Sequence, residues 1–218
     1  MSGVTATASD VDTGKIFVDS SGSQVEGTST YKSDYTNLND SVKGLIDGTA
    51  TTFTIPHGVT SIAAYKFRNM ANLITVNMPN TITDINTYAF YQCTNLALTE
   101  LPSGLISIGS YAFVTCPNLA LTELPSGLTS IGSNAFYQCT NLTLTELPSG
   151  LNSIGGYAFQ ACPKITSITF LGTPTTISST AFYMCQDITT IRVPWQEGEV
   201  ANAPWGATNA SIIYGYTP

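Results

Sequence analysis

The sequence predicts a mostly β solenoid: a stack of short parallel strands joined by tight helical or 3-10-like turns, with a short N-terminal capping helix. Three observations carry this. Phenylalanine recurs at 67, 90, 113, 136, 159 and 182, a constant step of 23 with no insertion. A fixed period between about 20 and 50 residues marks a stacked repeat. Apolar columns run in the same phase, and a proline follows one of them at 79, 102, 125, 148 and 194. No coil can bury its own columns, so stacking must supply the core.

Residues 1–35 are rich in Ser, Thr, Gly and Asp. Ile16, Phe17 and Val18 fit one short strand, and residues 20–23 a turn or linker. So polar a segment cannot offset its own ordering entropy and is expected to be flexible or ordered by a partner. Residues 36–61 read as an N-terminal cap. Asn39 or Asp40 can start a helix, Val42, Leu45 and Ile46 share one face, and Gly48 can end it. Phe53, Ile55, Pro56 and Val59 lie one period before Val76, Met78, Pro79 and Ile82, so half a coil precedes the first full one.

Residues 62–199 hold six coils, beginning at Ile62, Ile85, Ile108, Ile131, Ile154 and Ile177. A second column is Leu73, Leu96, Leu119, Leu142, Ile165 and Ile188. A third is Met78, Leu101, Leu124, Leu147, Phe170 and Val193. The segments before each proline read as strands, ending where proline removes a ladder donor. The Ala-Phe-x-x-Cys segments read as the tight turns, with Phe inside. At about 4.8 Å per coil the stack is on the order of 30 Å long. Residues 200–218 read as a capping coil, with Trp205 closing the column of Phe67, Phe90, Phe113, Phe136, Phe159 and Phe182, and Ile212, Ile213 and Tyr214 in a last strand.

Cys93, Cys116, Cys139, Cys162 and Cys185 share the step of 23, and Met70 holds the sixth place. Methionine can replace a buried small hydrophobe but not half a disulfide. Coil spacing lies within disulfide reach, yet buried free thiols are the favoured reading. A straight ladder does not converge as a tetrahedral metal site requires, so no metal is expected.

Charged residues make up 10% of the chain against a usual share of about 25%. The net charge is −7, and no Lys or Arg lies between Arg68 and Lys164. A nucleic-acid partner needs a basic patch, so none is expected. No stretch of about 18 apolar residues exists, so no membrane insertion is expected, and residues 1–10 lack the features of a signal peptide. His57, the one histidine, has no nucleophile to activate, and Asp10 and Asp12 lack the remaining ligands of a calcium loop. No phosphate loop, nucleophile elbow or zinc pair is present, so neither catalysis nor a cofactor is expected.

Leu73-x-x-Val76-x-Met78, Ile165-x-x-Ile168-x-Phe170 and Ile188-x-x-Ile191-x-Val193 resemble the leucine-rich repeat. The fuller phrase from Leu128 to Leu142, with Ile131, Ala135, Phe136 and Cys139, is similar to the BspA-type bacterial subclass. The resemblance covers roughly residues 50–216. It implies a non-catalytic extracellular or cell-surface module that binds a protein or glycan on a host or bacterial surface. A weaker resemblance links residues 6–22 to phage and prophage tail-associated proteins, and residues 194–209 look like repeat proteins encoded near such genes. It implies a virion-borne receptor-binding component as the alternative.

Two surfaces are candidates for recognition. In the middle coils Thr99, Thr122 and Thr145 stand in the column of Val76, Ile168 and Ile191. Strict strand alternation would turn Leu98, Leu121 and Leu144 outward beside Glu100, Glu123 and Glu146, making a half-apolar, half-acidic strip. A local bulge would instead turn the Leu column inward and leave only the glutamates outside. The second surface is tyrosine: Tyr65, Tyr88, Tyr111 and Tyr157 in one column, Tyr91, Tyr137 and Tyr183 in another. Exposed tyrosine suits recognition; the alternative is rings that cover one another along the stack. Oligomeric state is left open by the sequence.

Overall fold

The computed structural model of the chain describes residues 16–18, 24–26 and 50–217. The first two segments are β1 (Ile16–Val18) and β2 (Gln24–Glu26), an antiparallel pair in which Phe17 is in register with Val25. The strand expected at Ile16–Val18 is present, with a partner strand that sequence reading did not anticipate. The capping helix expected over 39–48 lies outside the described residues.

From residue 50 onward the chain is a parallel β solenoid of about seven turns. In chain order the strands are β3 (Thr52–Thr54), β4 (Ser61–Ile62), β5 (Thr75–Asn77), β6 (Asp84–Ile85), β7 (Ser107–Ile108), β8 (Ser130–Ile131), β9 (Glu146–Leu147), β10 (Ser153–Ile154), β11 (Ser167–Phe170), β12 (Thr176–Ile177), β13 (Thr190–Arg192) and β14 (Ser211–Ile213). They form two ladders. One is part of the expected set before the proline column, as β3–β5 and β9–β11–β13–β14, while the segments before Pro102 and Pro125 form no strand. The other, not expected as strands, runs β4–β6–β7–β8–β10–β12 through the isoleucines that open each coil. Partners stand one period apart, as in Ile62↔Ile85 and Ile168↔Ile191, so sequence columns become spatial columns.

The core is one continuous column of these residues. The Phe rings stack nearly parallel, from Phe67–Phe90 at 4.9 Å between centroids to Phe113–Phe136 at 5.5 Å. Phe53 closes the N-terminal end edge-on against Phe67 at 5.4 Å. Coils approach closely elsewhere too: a Cβ built on Gly109 would lie 2.6 Å from the Thr87 backbone nitrogen.

The Ala-Phe-x-x-Cys segments are tight turns, and no helix occurs among the described residues. Their 3-10 character is confined to isolated bonds such as Met70 N–H to Phe67 O, 3.2 Å, and Cys93 N–H to Phe90 O, 3.2 Å. Alternate amides turn away to the next coil, as Phe67 N–H does to Ala89 O at 2.7 Å. Positive φ at Tyr65, Tyr88, Tyr111, Asn134 and Tyr157, between 56° and 65°, produces this alternation. It recurs four places later in each coil, at Asn69, Gln92, Thr115, Gln138 and Ala161. Left-handed residues cost roughly 1–2 kcal/mol each outside glycine, and stacking outweighs that cost.

The last coil departs from the expected register. β13 pairs with β14 at a step of 21, Thr190↔Ser211 and Ile191↔Ile212, so the final strand ends at Ile213 and Tyr214 lies beyond it. Trp205 is fully buried, as a cap should be. Its ring, however, packs on Phe170 (5.5 Å) and Trp195 (6.1 Å) rather than on Phe182. The backbone explains the change. Phe159 N–H bonds to Ala181 O in the regular coils, but Phe182 N–H bonds to Trp205 O. Trp205 therefore takes the alanine position of the turn, not that of phenylalanine.

Candidate functional site

The bulge is what the middle coils adopt. Leu98, Leu121 and Leu144 are buried, at 7%, 0% and 1% exposure, while Thr99, Thr122 and Thr145 are exposed. The apolar half of the strip expected from strict alternation is therefore absent. In β5 the inward residue is Val76; in the next coil it is Leu98, one place earlier in the repeat, and Leu101 follows inward. Thr99 and Glu100 then both point outward between two inward leucines. Leucine drives this: burying its side chain stabilises by about 1.5–3 kcal/mol, and a bulge is the local kink that lets the strand turn it inward. Glu100, Glu123 and Glu146 remain exposed.

The bulge breaks the strand ladder. Between β5 and β9 only single anchoring bonds remain: Ala97 N–H to Ile74 O, Ala120 N–H to Leu98 O (2.9 Å each) and Thr143 N–H to Leu121 O (3.1 Å). Thr99, Glu100, Leu101, Thr122, Glu123 and Leu124 make no hydrogen bond, backbone or side chain, among the described residues. The ladder resumes at Glu146, which pairs with Thr169. A groove of about 730 Å³ lies over the interruption. Its polar lining includes Asn77, Asn80, Glu100, Ser103, Glu123 and Ser126. Asn80 is held by accepting the Ser103 N–H at 3.1 Å. Glu146 does not line the groove. What sequence reading missed is this gap in the sheet, and its signal was present: threonine in a column that elsewhere holds Val76, Ile168 and Ile191.

The tyrosine columns form separate clusters. Tyr65 and Tyr88 stack at 5.0 Å and 10°, Tyr88 and Tyr111 at 4.7 Å and 4°. Tyr91 meets Tyr88 edge-on at 5.4 Å, and the Arg68 guanidinium lies 5.3–5.9 Å from the rings of Tyr91, Tyr65 and Tyr88. Desolvation, then the neighbouring phenols, push the Tyr88 hydroxyl up from its ordinary range, with Arg68 opposing. Asn134 interrupts the column, and Tyr157 meets Tyr183 edge-on at 5.8 Å. Tyr137 is half-buried. Within the Tyr65–Tyr88–Tyr111 stack the rings cover one another's faces, so edges and hydroxyls are what it presents.

Chemistry elsewhere is sparse. Each cysteine is buried and free, and its thiol donates to the carbonyl of the Phe one coil earlier: Cys93 to Phe67 (2.8 Å), Cys116 to Phe90 (3.1 Å), Cys139 to Phe113 (3.1 Å), Cys162 to Phe136 (3.2 Å), Cys185 to Phe159 (2.8 Å). His57 sits exposed in a turn. Among the described residues no group of three or more His, Cys, Asp or Glu could hold a metal ion, and no helix is long and apolar enough to cross a membrane.

Comparison with known proteins places these observations. The family description "BspA type Leucine rich repeat region (6 copies)" matches residues 47–143 and 106–202. Among solved structures, the leucine-rich repeat protein of T. pallidum is similar at 28% identity and a TM-score of 0.58, over 66% of this chain and 72% of that one. A leucine-rich repeat protein of Bacteroides ovatus is similar at 22% identity and a TM-score of 0.53, over 78% of this chain and 56% of that one. No curated protein matches the chain. Nothing in these matches supports the resemblance to phage tail proteins, and it is not carried further.

Proposed function

Since the chain belongs to the BspA-type leucine-rich repeat family, we propose that it is a non-catalytic binding module, displayed outside the cell, that recognises a protein or glycan on another surface. The observation that carries this is the groove over the interrupted sheet. It is concave, polar at its rim and spans consecutive coils of a rigid stack. Its ionisable groups are carboxylates from successive coils, Glu100 and Glu123, and among the described residues no histidine, cysteine or cation lines it as a reacting partner. The edges and hydroxyls of Tyr65, Tyr88, Tyr111 and Tyr157, with Tyr91, Tyr137 and Tyr183, are a second contact surface in the same reading.

A glycan and host-protein array probed with the intact chain tests it. Specific ligands are expected, and the Glu100→Gln/Glu123→Gln/Glu146→Gln variant should bind them more weakly. An array with no specific ligand would sink the reading. Undiminished binding by the triple variant, with loss in Tyr→Ala variants, would move the site to the tyrosines.

A further inference from the structure

The gap in the strand ladder leaves main-chain groups without partners among the described residues, where the surface is concave and acidic. We propose that this groove docks an extended segment of a partner protein carrying lysine or arginine. The inference rests on the binding-module reading and names the ligand class of its groove.

The first argument is main-chain chemistry. Thr99–Leu101 and Thr122–Leu124 make no hydrogen bond with any described residue. Backbone N–H and C=O groups require partners, so water reaches them in the free protein. An extended peptide offers the same donors and acceptors, repeated about every 3.3 Å along its length, and can take the place of that water. In the regular coils these groups are already used: β11 is paired on both sides, with β9 and β13. Docking is thereby confined to the interrupted coils rather than spread along the stack.

The second argument is charge. Glu100 and Glu123 line the groove from adjacent coils. No Lys or Arg occurs between Arg68 and Lys164 to relieve them, and like charges so placed repel. A cationic side chain relieves that repulsion; an acidic segment adds to it. The third argument separates peptide from sugar. Among the described residues no aromatic side chain lines the groove, so a sugar ring would find no aromatic face to stack on there.

The test uses the intact chain and a fluorescent octapeptide of alternating lysine and threonine, followed by anisotropy. Saturable binding is expected, weakened about fivefold by Glu100→Gln and about fivefold by Glu123→Gln, and weakened further by high salt. The acetyl-lysine peptide should not bind, and N-methylation of alternate peptide amides should weaken binding at unchanged charge. A Leu98→Thr/Thr99→Val/Leu121→Thr/Thr122→Val variant restores the regular pattern and should close the ladder, abolishing binding. Equal affinity for the N-methylated peptide, or binding untouched by both Glu variants, would overturn the proposal. If the lysine peptide fails while a glycan binds and is lost in the Glu variants, this inference falls and the binding-module reading stands. If neither peptide nor array yields a ligand, both fall.

Discussion

At the scale of single residues the cysteine column shows how a repeat uses one side chain twice. Each thiol fills a small core space and also donates to the carbonyl of the phenylalanine one coil earlier; Phe67 O, Phe90 O and Phe136 O each accept from a backbone N–H and a thiol together. Burial pushes Cys93 up to about 12 and Cys185 up to about 11, and raises Cys116, Cys139 and Cys162 as well. The direction for stability follows. An unfolded chain loses thiol protons from about pH 8.5, whereas the folded chain keeps them to higher pH. The contribution is whole below about pH 8.5 and declines above it, by up to about 1.4 kcal/mol per pH unit for each thiol, until the folded thiols ionise. Urea unfolding between pH 7 and 10.5 should show this alkaline loss, and a Cys116→Ala/Cys139→Ala variant should flatten its slope. A thiol reagent at pH 8 should label no cysteine before unfolding and all five after. Rapid labelling of the native chain would contradict this account of the column.

At the scale of elements, the two ladders behave differently because their side chains do. The Ile-opened ladder joins six strands without a break, each contributing one buried isoleucine. The pre-proline ladder breaks where a leucine enters the repeat one position early. Hydrogen exchange reads the difference directly. Amides of Thr99–Leu101 and Thr122–Leu124 should exchange near the unprotected rate, while those of Ile168 and Ile191, buried within β11 and β13, should be protected by several orders of magnitude. Comparable protection in the two sets would mean that the ladder is closed and the groove's main chain is not available.

At the scale of the whole molecule, a solenoid is a one-dimensional stack whose ends are its weak points. The C-terminal end is closed by three aromatic rings, Phe170, Trp195 and Trp205, all buried and in mutual contact. Trp205 is tied further by its indole N–H to Ala201 O at 2.7 Å. Trp205→Ala should lower stability by about 3–5 kcal/mol and expose the last coils to proteolysis before the first. Denaturant unfolding with limited digestion checks both. A small loss with unchanged digestion would make β14, rather than the ring cluster, the element that closes the stack. Charge acts at this scale too: the carboxylates of the middle coils have no compensating Lys or Arg in the sequence between Arg68 and Lys164.

The sequence by itself determined the period, and with it the columns. Because every strand partner within the repeats is one period away, Phe90 had to meet Phe113 and Ile62 had to meet Ile85, and a core followed from counting. It also posed the question of the middle coils, through Thr99, Thr122 and Thr145, but could not answer it. Alternation and leucine burial make opposite demands on Leu98, and only the packed interior shows that burial prevails. The left-handed tyrosines, the second ladder, the lengthened last turn that puts Trp205 in an alanine's place, the shortened strand step that follows it, and the unpaired backbone under the groove were decided at the tertiary level. Each depends on how one coil meets the next, an interaction between backbone groups of successive coils, and only the gap in the middle coils left a side-chain trace, the threonines at 99, 122 and 145.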